Sequence, residues 1–359
     1  MIRKLWIILL IVPVWVHGQN TVHFADSVRK AYDIPELSYS VVTDSTVLEI
    51  AALGHHSAVL NDTATLNDRF HLGSDTKAMT AFIIAKFVEE GKLTWATKFF
   101  DIYPEWEVGS KPVYYSITLE ELLSHRARIQ PFEGGEDDPA IPQFIGTKQE
   151  KRTAFGKYVL TLPPAKTDSS GFAYSNAGYT LAALMVEKAS GMSWEQLVEK
   201  VFNKDLKLEV GLSWPDNQKH KDTWGHIPEN GKLVPVPSDT SYRLDYTEPA
   251  GDLNIKLKDY VRFVQMNIQG MKGYGNYLHA SDYKFIHKGV PYYSLGWFNI
   301  NNGEGDFSTH TGTAGTYYAL VTIDRKKFIG YIIFTNSFND KTVNGVRVLL
   351  RKLKAEYGR

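Results

Sequence analysis

Cysteine is missing from all 359 residues. That excludes a disulfide framework, thiolate catalysis, thiolate-bound metal and lipidation through sulfur. Surplus charge is missing too, since 40 Lys and Arg balance 40 Asp and Glu. No long basic run stands out either, so neither nucleic acid nor an anionic membrane is expected as a partner. Internal repeats, low-complexity tracts and Pro/Gly/Ser linkers are also lacking, which points to one catalytic-sized unit. No His-Glu-x-x-His is present to turn His55, His56 and His71 into a metal site, and no metal or other cofactor is expected. A Gly-x-Ser-x-Gly elbow is absent, which disfavours an α/β-hydrolase.

What is present is the composition of an ordinary globular protein, 43% hydrophobic and 22% charged. The first residues have the order of a secretory signal: Arg3 and Lys4, an apolar run from Leu5 to Val16, then Gly18 as a small residue for cleavage. The run is short for a membrane span and is broken by Pro13. Residues 1–18 therefore read as a signal peptide, with an uncleaved anchor as the rival, and 19–359 as one domain, periplasmic or secreted.

Periodicity predicts a helix over 22–32, then strands over 37–43 and 47–53. Helices follow over 74–90, 119–124, 176–190, 193–202 and 257–269, the last stopping at Gly270. Strands return over 292–300, 316–324 and 328–336 before a closing helix over 342–357. Strands at both chain ends with helices between them predict an α+β fold. Its antiparallel sheet is built from the two ends and flanked by terminal helices, with a mostly helical lobe inserted over roughly 74–254.

Ser74-Asp75-Thr76-Lys77 is the leading chemical candidate. A serine at a helix start meets free backbone N–H groups, and a lysine one turn on shares its face. Such a lysine can take the serine proton if burial keeps it neutral. The pattern alone is weak, because Ser27-Val-Arg-Lys30 and Ser281-Asp-Tyr-Lys284 match it. Ser27 lies in a polar helix and Ser281 in what reads as a loop, whereas Ser74 follows Gly73 and opens a long apolar helix. Tyr174-Ser175-Asn176 adds a proton relay and an amide that can bind a substrate carbonyl and orient the lysine. Tyr274-Gly-Asn276 is its chance double. In His310-Thr311-Gly312, ahead of a strand, the glycine lets a substrate backbone lie close, and the next N–H can face an oxyanion. His287-Lys-Gly289 is the double here. The doubles fall in the wrong order within one short segment, while Ser74, Tyr174 and His310 are well separated and in a workable order.

These three motifs, in this order and at this spacing, resemble those of the penicillin-recognising serine hydrolases. That superfamily holds class C β-lactamases, D-alanyl-D-alanine carboxypeptidases, D-aminopeptidases and related esterases. The likeness extends over Leu122-Leu-Ser-His125, Pro249-Ala-Gly-Asp-Leu253, Leu295-Gly-Trp297 and Phe334-Thr-Asn-Ser337. His310-Thr-Gly-Thr313 with Tyr317 and Tyr318 is most similar to the carboxypeptidase branch.

The resemblance implies attack by Ser74, proton transfer shared by Lys77 and Tyr174, and substrate binding by Asn176. It also implies an oxyanion hole from the N–H groups of Ser74 and Thr313, with His310, Thr311 and Thr313 along the strand-side wall and in reach of a substrate carboxylate. The expected function is metal-independent hydrolysis of a peptide, amide or ester through an acyl-enzyme. A D-amino-acid peptidase or carboxypeptidase ranks first, a small-ester hydrolase second and a β-lactamase third. A binding protein without turnover on the same fold is the alternative of another class. The chain departs from the pattern after His125, where Arg126-Ala127-Arg128 replaces Thr-Ser-Gly. Losing that glycine predicts a rerouted loop, with the two arginines either solvated or attracting an anionic substrate. A histidine at 310 is not a permanent cation near neutral pH, which argues against efficient β-lactamase action.

Overall fold

The computed structural model describes residues 15–134, 138–217, 222–238, 244–303 and 305–359. Most of the expected signal segment lies outside them, and the first helix, α1 (Trp15–Ala31), includes Gly18. Two strands follow, β1 (Glu36–Val42) and β2 (Val47–Gly54), then the short β3 (Arg69–His71). The central helices are α2 (Thr76–Glu89), α3 (Phe99–Ile102), α4 (Leu119–Leu123), α5 (Lys148–Val159), α6 (Asn176–Ser190) and α7 (Trp194–Val198). Three short strands come next, β4 (Val210–Leu212), β5 (Gly225–Glu229) and β6 (Lys232–Val236). After α8 (Glu248–Gly251) and β7 (Leu253–Lys256) run α9 (Leu257–Lys272) and α10 (Ala280–Lys288). The chain closes with β8 (Tyr292–Tyr293), β9 (Phe298–Asn302), β10 (Gly305–Thr313), β11 (Tyr318–Asp324), β12 (Ile329–Thr335) and α11 (Asp340–Tyr357).

The main sheet is antiparallel in the order β2-β1-β12-β11-β10-β9-β8, so strands from the two chain ends meet at β1 and β12. Side chains alternate across a strand, and here both faces are covered. Tyr318, Leu320, Tyr331 and Ile333 face α1 and α11 through Ala25, Val28, Val346 and Leu349. Ala319, Val321, Ile332 and Phe334 face the larger core with Phe82 of α2 and Phe263 of α9. Double burial is why β1 and β12 carry no exposed residue and, Glu36 apart, are apolar, aromatic or small. Helix α2 is buried almost all round, at every residue from Thr76 to Ala85. Ser74 thus sits on the entry to a fixed rod.

Three expectations change. Gly270 does not end α9, which runs to Lys272 with Gly273 beyond it at φ +104. It is a packing contact, because a Cβ there would lie 2.0 Å from the Tyr283 ring. The strand over 292–300 is two, broken around Gly296, where a Cβ would strike the backbone of Lys77 and Ala78 at 2.6–2.9 Å. Strand β10 went unrecognised, and it carries His310.

Candidate active site

Ser74 lies in a single 3₁₀ turn, Gly73–Asp75, that leads into α2. The turn is held from below by His71, whose Nδ1 accepts the Gly73 N–H at 3.2 Å while Nε2 faces Asp252 at 3.3 Å. His71 is therefore a scaffold residue. One turn along α2, Lys77 is fully buried. Its Nζ reaches three oxygens: Asn176 Oδ1 at 2.6 Å, the Ala250 carbonyl at 3.0 Å and Ser74 Oγ at 3.2 Å. Burial pulls its pKa down to about 7, against the opposing charges of Glu133 and Asp75. In the neutral form an amine has two N–H donors and one lone pair. The two carbonyl oxygens take the donors, which leaves the lone pair for the Ser74 hydroxyl.

Asn176 is the first residue of α6, behind Ser175, which caps that helix by accepting from Gly178 N–H. The Asn176 amide is fixed at both ends, with Nδ2 donating to the Phe132 carbonyl at 2.9 Å. Tyr174 precedes the cap, with its hydroxyl in hydrogen-bond reach of Ser74 and Lys77 Nζ 4.6 Å from its ring centre. Burial is the largest influence on Tyr174 and pushes its pKa well above 10, so it stays a phenol, a donor rather than a base. His125 backs the Tyr174 ring at 4.3 Å and accepts the Ser175 N–H on Nδ1. Its Nε2 is buried without a hydrogen-bond partner among the described residues, and burial drives its pKa well down.

Strand β10 forms the opposite wall. Gly312 and Gly73 are required where the two backbones meet: a Cβ on Gly312 would lie 1.9 Å from Leu72 O and 2.7 Å from Ser74 N, and one on Gly73 2.2 Å from Thr313 N. The glycine therefore makes room for this chain's own serine turn, not, as expected, for a substrate backbone. The approach brings the backbone amides of Ser74 and Thr313 close to one another. Along β10 Thr311 is exposed and Thr313 half-buried, while His310 is turned inward and 2% exposed. Its Nε2 pairs with Tyr293 Oη at 3.0 Å, and its Nδ1 lies 2.8 Å from the Thr311 carbonyl and 3.4 Å from Asp75. The expected contact of His310 with a substrate carboxylate is thus not the geometry found: the ring sits beneath the wall with both nitrogens engaged.

The same cleft, about 500 Å³, is lined by Ser74, Asn176 and Thr313 together with Glu133, Trp214, Leu244 and Phe338. Sequence reasoning had missed Glu133, the Ala250 carbonyl, Asp75 and Tyr293. Asp75, inside the Ser-x-x-Lys motif, and Ala250, inside Pro249-Ala-Gly-Asp-Leu253, lay within motif stretches already singled out, whereas Glu133 and Tyr293 did not.

The look-alikes separate by burial. Ser27, Lys30, Ser281 and Lys284 are all exposed. Ser281 belongs to α10 and not to a loop, so context in the chain was the wrong reason for rejecting it. Arg126 is half-buried and donates to the carbonyls of Ser124, Tyr293 and Pro291, so the structure ties it to its own backbone. Arg128 is exposed and takes φ +57, so this position reaches the left-handed region without a glycine.

A family model described as Beta-lactamase matches residues 23–355. Penicillin-binding protein 4 of Amycolatopsis lactamdurans is 25% identical over 248 residues, 68% of this chain and 62% of that one. The chain spans 60–62% of the length of the curated relatives it matches first. Among solved structures, D-alanine carboxypeptidase AmpC of Burkholderia cenocepacia has TM-score 0.70 at 19% identity, covering 93% of this chain and 99% of its own. D-amino acid amidase of Ochrobactrum anthropi SV3 has TM-score 0.73 at 17% identity, covering 94% and 98%. At these identities the structural likeness is one of fold.

Proposed function

This chain belongs to the beta-lactamase family, and from that premise we propose that it is an exported serine hydrolase forming an acyl-enzyme on Ser74. Its substrates are peptides, amides or esters, with D-amino-acid derivatives first. The observation that carries this reading is the set of three oxygens around Lys77 Nζ, in a site that brings its pKa to about 7. A carboxypeptidase and an amidase of D-amino acids among the structural neighbours support the substrate class, and the order of residues 1–18 supports export.

In this mechanism neutral Lys77 takes the Ser74 proton as Oγ attacks the carbonyl carbon. The N–H groups of Ser74 and Thr313 stabilise the oxyanion. Collapse breaks the bond to the leaving group, which receives a proton from Tyr174, and Lys77, its Nζ 4.6 Å from the Tyr174 ring centre, returns one to Tyr174. Water then attacks the acyl carbon, the bond from that carbon to Ser74 Oγ breaks, and the proton given up by the water returns to Oγ, which frees the acid and restores the Ser74 hydroxyl. Asn176 orients both Lys77 and the substrate amide.

Incubation with a fluorescent penicillin and, separately, a fluorophosphonate tests the reading. Labelling by both is the expected result for a penicillin-recognising peptidase. Labelling by fluorophosphonate alone moves the assignment to an esterase. No labelling by either overturns catalysis in favour of a binding protein.

A further inference from the structure

The cleft holds a charge that acyl transfer does not use. Glu133 lines it beside Ser74 and Asn176, and its side chain makes no hydrogen bond or ion pair among the described residues. The adjoining backbone is fixed, because the Phe132 carbonyl accepts from Asn176 and the Gly134 N–H donates to Asp138. None of the described lining residues is Lys or Arg. Two groups that could have met a substrate carboxylate are turned elsewhere: Arg126 donates to three backbone carbonyls, and His310 lies buried beneath β10, while exposed Arg128 does not line the cleft. Trp214, Leu244 and Phe338 supply apolar walls.

Resting on the serine-hydrolase reading above, we propose that Glu133 anchors a substrate ammonium group. Preferred substrates then carry a free amine next to the scissile carbonyl, as amino-acid amides, esters and unblocked N-terminal residues do, and lack a carboxylate on the leaving side. Glu133 is exposed to solvent where it lines the cleft, so it is accessible to a substrate, and a carboxylate binds an ammonium by charge-assisted hydrogen bonds and repels a second carboxylate. The pairing also favours turnover. Glu133 is the largest charge opposing the fall in the Lys77 pKa. A bound ammonium cancels that charge, so Lys77 gives up its proton more readily when the right substrate is in place.

The test compares a free-amine D-aminoacyl p-nitroanilide, its N-acetyl counterpart and an N-acetyl dipeptide with a free C-terminal carboxylate, on the wild type and Glu133→Gln. The wild type is expected to favour the free amine over the acetylated anilide by at least about tenfold in kcat/KM, the lower range for losing a charge-assisted hydrogen bond. That ratio should collapse toward unity in Glu133→Gln and recover in Glu133→Asp. For the free-amine substrate only, the acid limb of kcat should lie below that of kcat/KM. Equal or better turnover of the acetylated or carboxylate-bearing substrate by the wild type overturns the proposal. So does an equal loss on all substrates with a trapped acyl-enzyme in Glu133→Gln, which would make Glu133 a water-activating base. Fluorophosphonate labelling of the same samples separates the two levels: a labelled enzyme without amine preference sinks only the role of Glu133, and an unlabelled one sinks both.

Discussion

Replacing Asn176 by Asp puts the base assignment to a sharp test, because the change places a carboxylate 2.6 Å from Lys77 Nζ in nearly the same shape. In the wild type burial holds the Lys77 pKa at about 7. The rate should therefore follow the unprotonated amine, rising through pH 7 and levelling above it. An opposite charge at this range raises a lysine pKa by about 1–3 pH units. The neutral fraction at pH 7 then drops from about half to between about one in ten and one in a thousand. So kcat/KM of Asn176→Asp should fall about 5- to 500-fold at pH 7 and regain most of the loss by pH 9–10. Losing only the amide donor would instead lower the rate evenly at every pH. A pH–rate profile on a p-nitrophenyl ester or anilide distinguishes the two. An acid limb that stays near pH 7 in Asn176→Asp, under a uniform drop, would refute Lys77 as the titrating base.

Gly312→Ala should cost about 10²–10³ in kcat, since its Cβ must move from 1.9 Å to at least 3.0 Å from Leu72 O and carry Thr313 N away from Ser74; wild-type kcat would contradict the close approach. Arg128→Gly should stabilise the fold by about 0.5–1 kcal/mol in urea titration, by relieving a left-handed conformation at some entropic cost, and destabilisation would show the arginine side chain to be needed. Fully buried Arg152 joins Glu187, Glu195 and Glu248 at 2.6–3.3 Å. Arg152→Met should therefore destabilise by about 3–5 kcal/mol, and a loss under 1 kcal/mol would mean the three carboxylates find other partners.

The outline of the fold was legible because β1, β11, β12, α2 and α6 are mostly apolar where they are buried. Strand β10 was not, for a physical reason. Its buried positions alternate as a strand requires, but they hold Asp306, Ser308 and His310, satisfied by Arg325, His287 and Tyr293. A search for alternating hydrophobicity sees nothing there. Ser74, Lys77, Tyr174 and Asn176 could be found from their order along the chain, which was a sounder guide than local context, as Ser281 in α10 shows. The Ala250 carbonyl could not be found, since a backbone oxygen leaves no mark in a sequence. Glu133 is one acid among 40, and only folding places it in the cleft. Arg126 was read as solvated or facing an anionic substrate and His310 as in reach of a substrate carboxylate, and the folded chain turns both toward its own polar groups.

The most direct test of the account is peptide mapping by mass after reaction with a fluorophosphonate, in which Ser27 and Ser281 serve as internal controls. The account predicts one adduct per chain, on the peptide carrying Ser74, abolished in Ser74→Ala and slowed below pH 7. An adduct on another serine, or labelling that persists in Ser74→Ala, would contradict it.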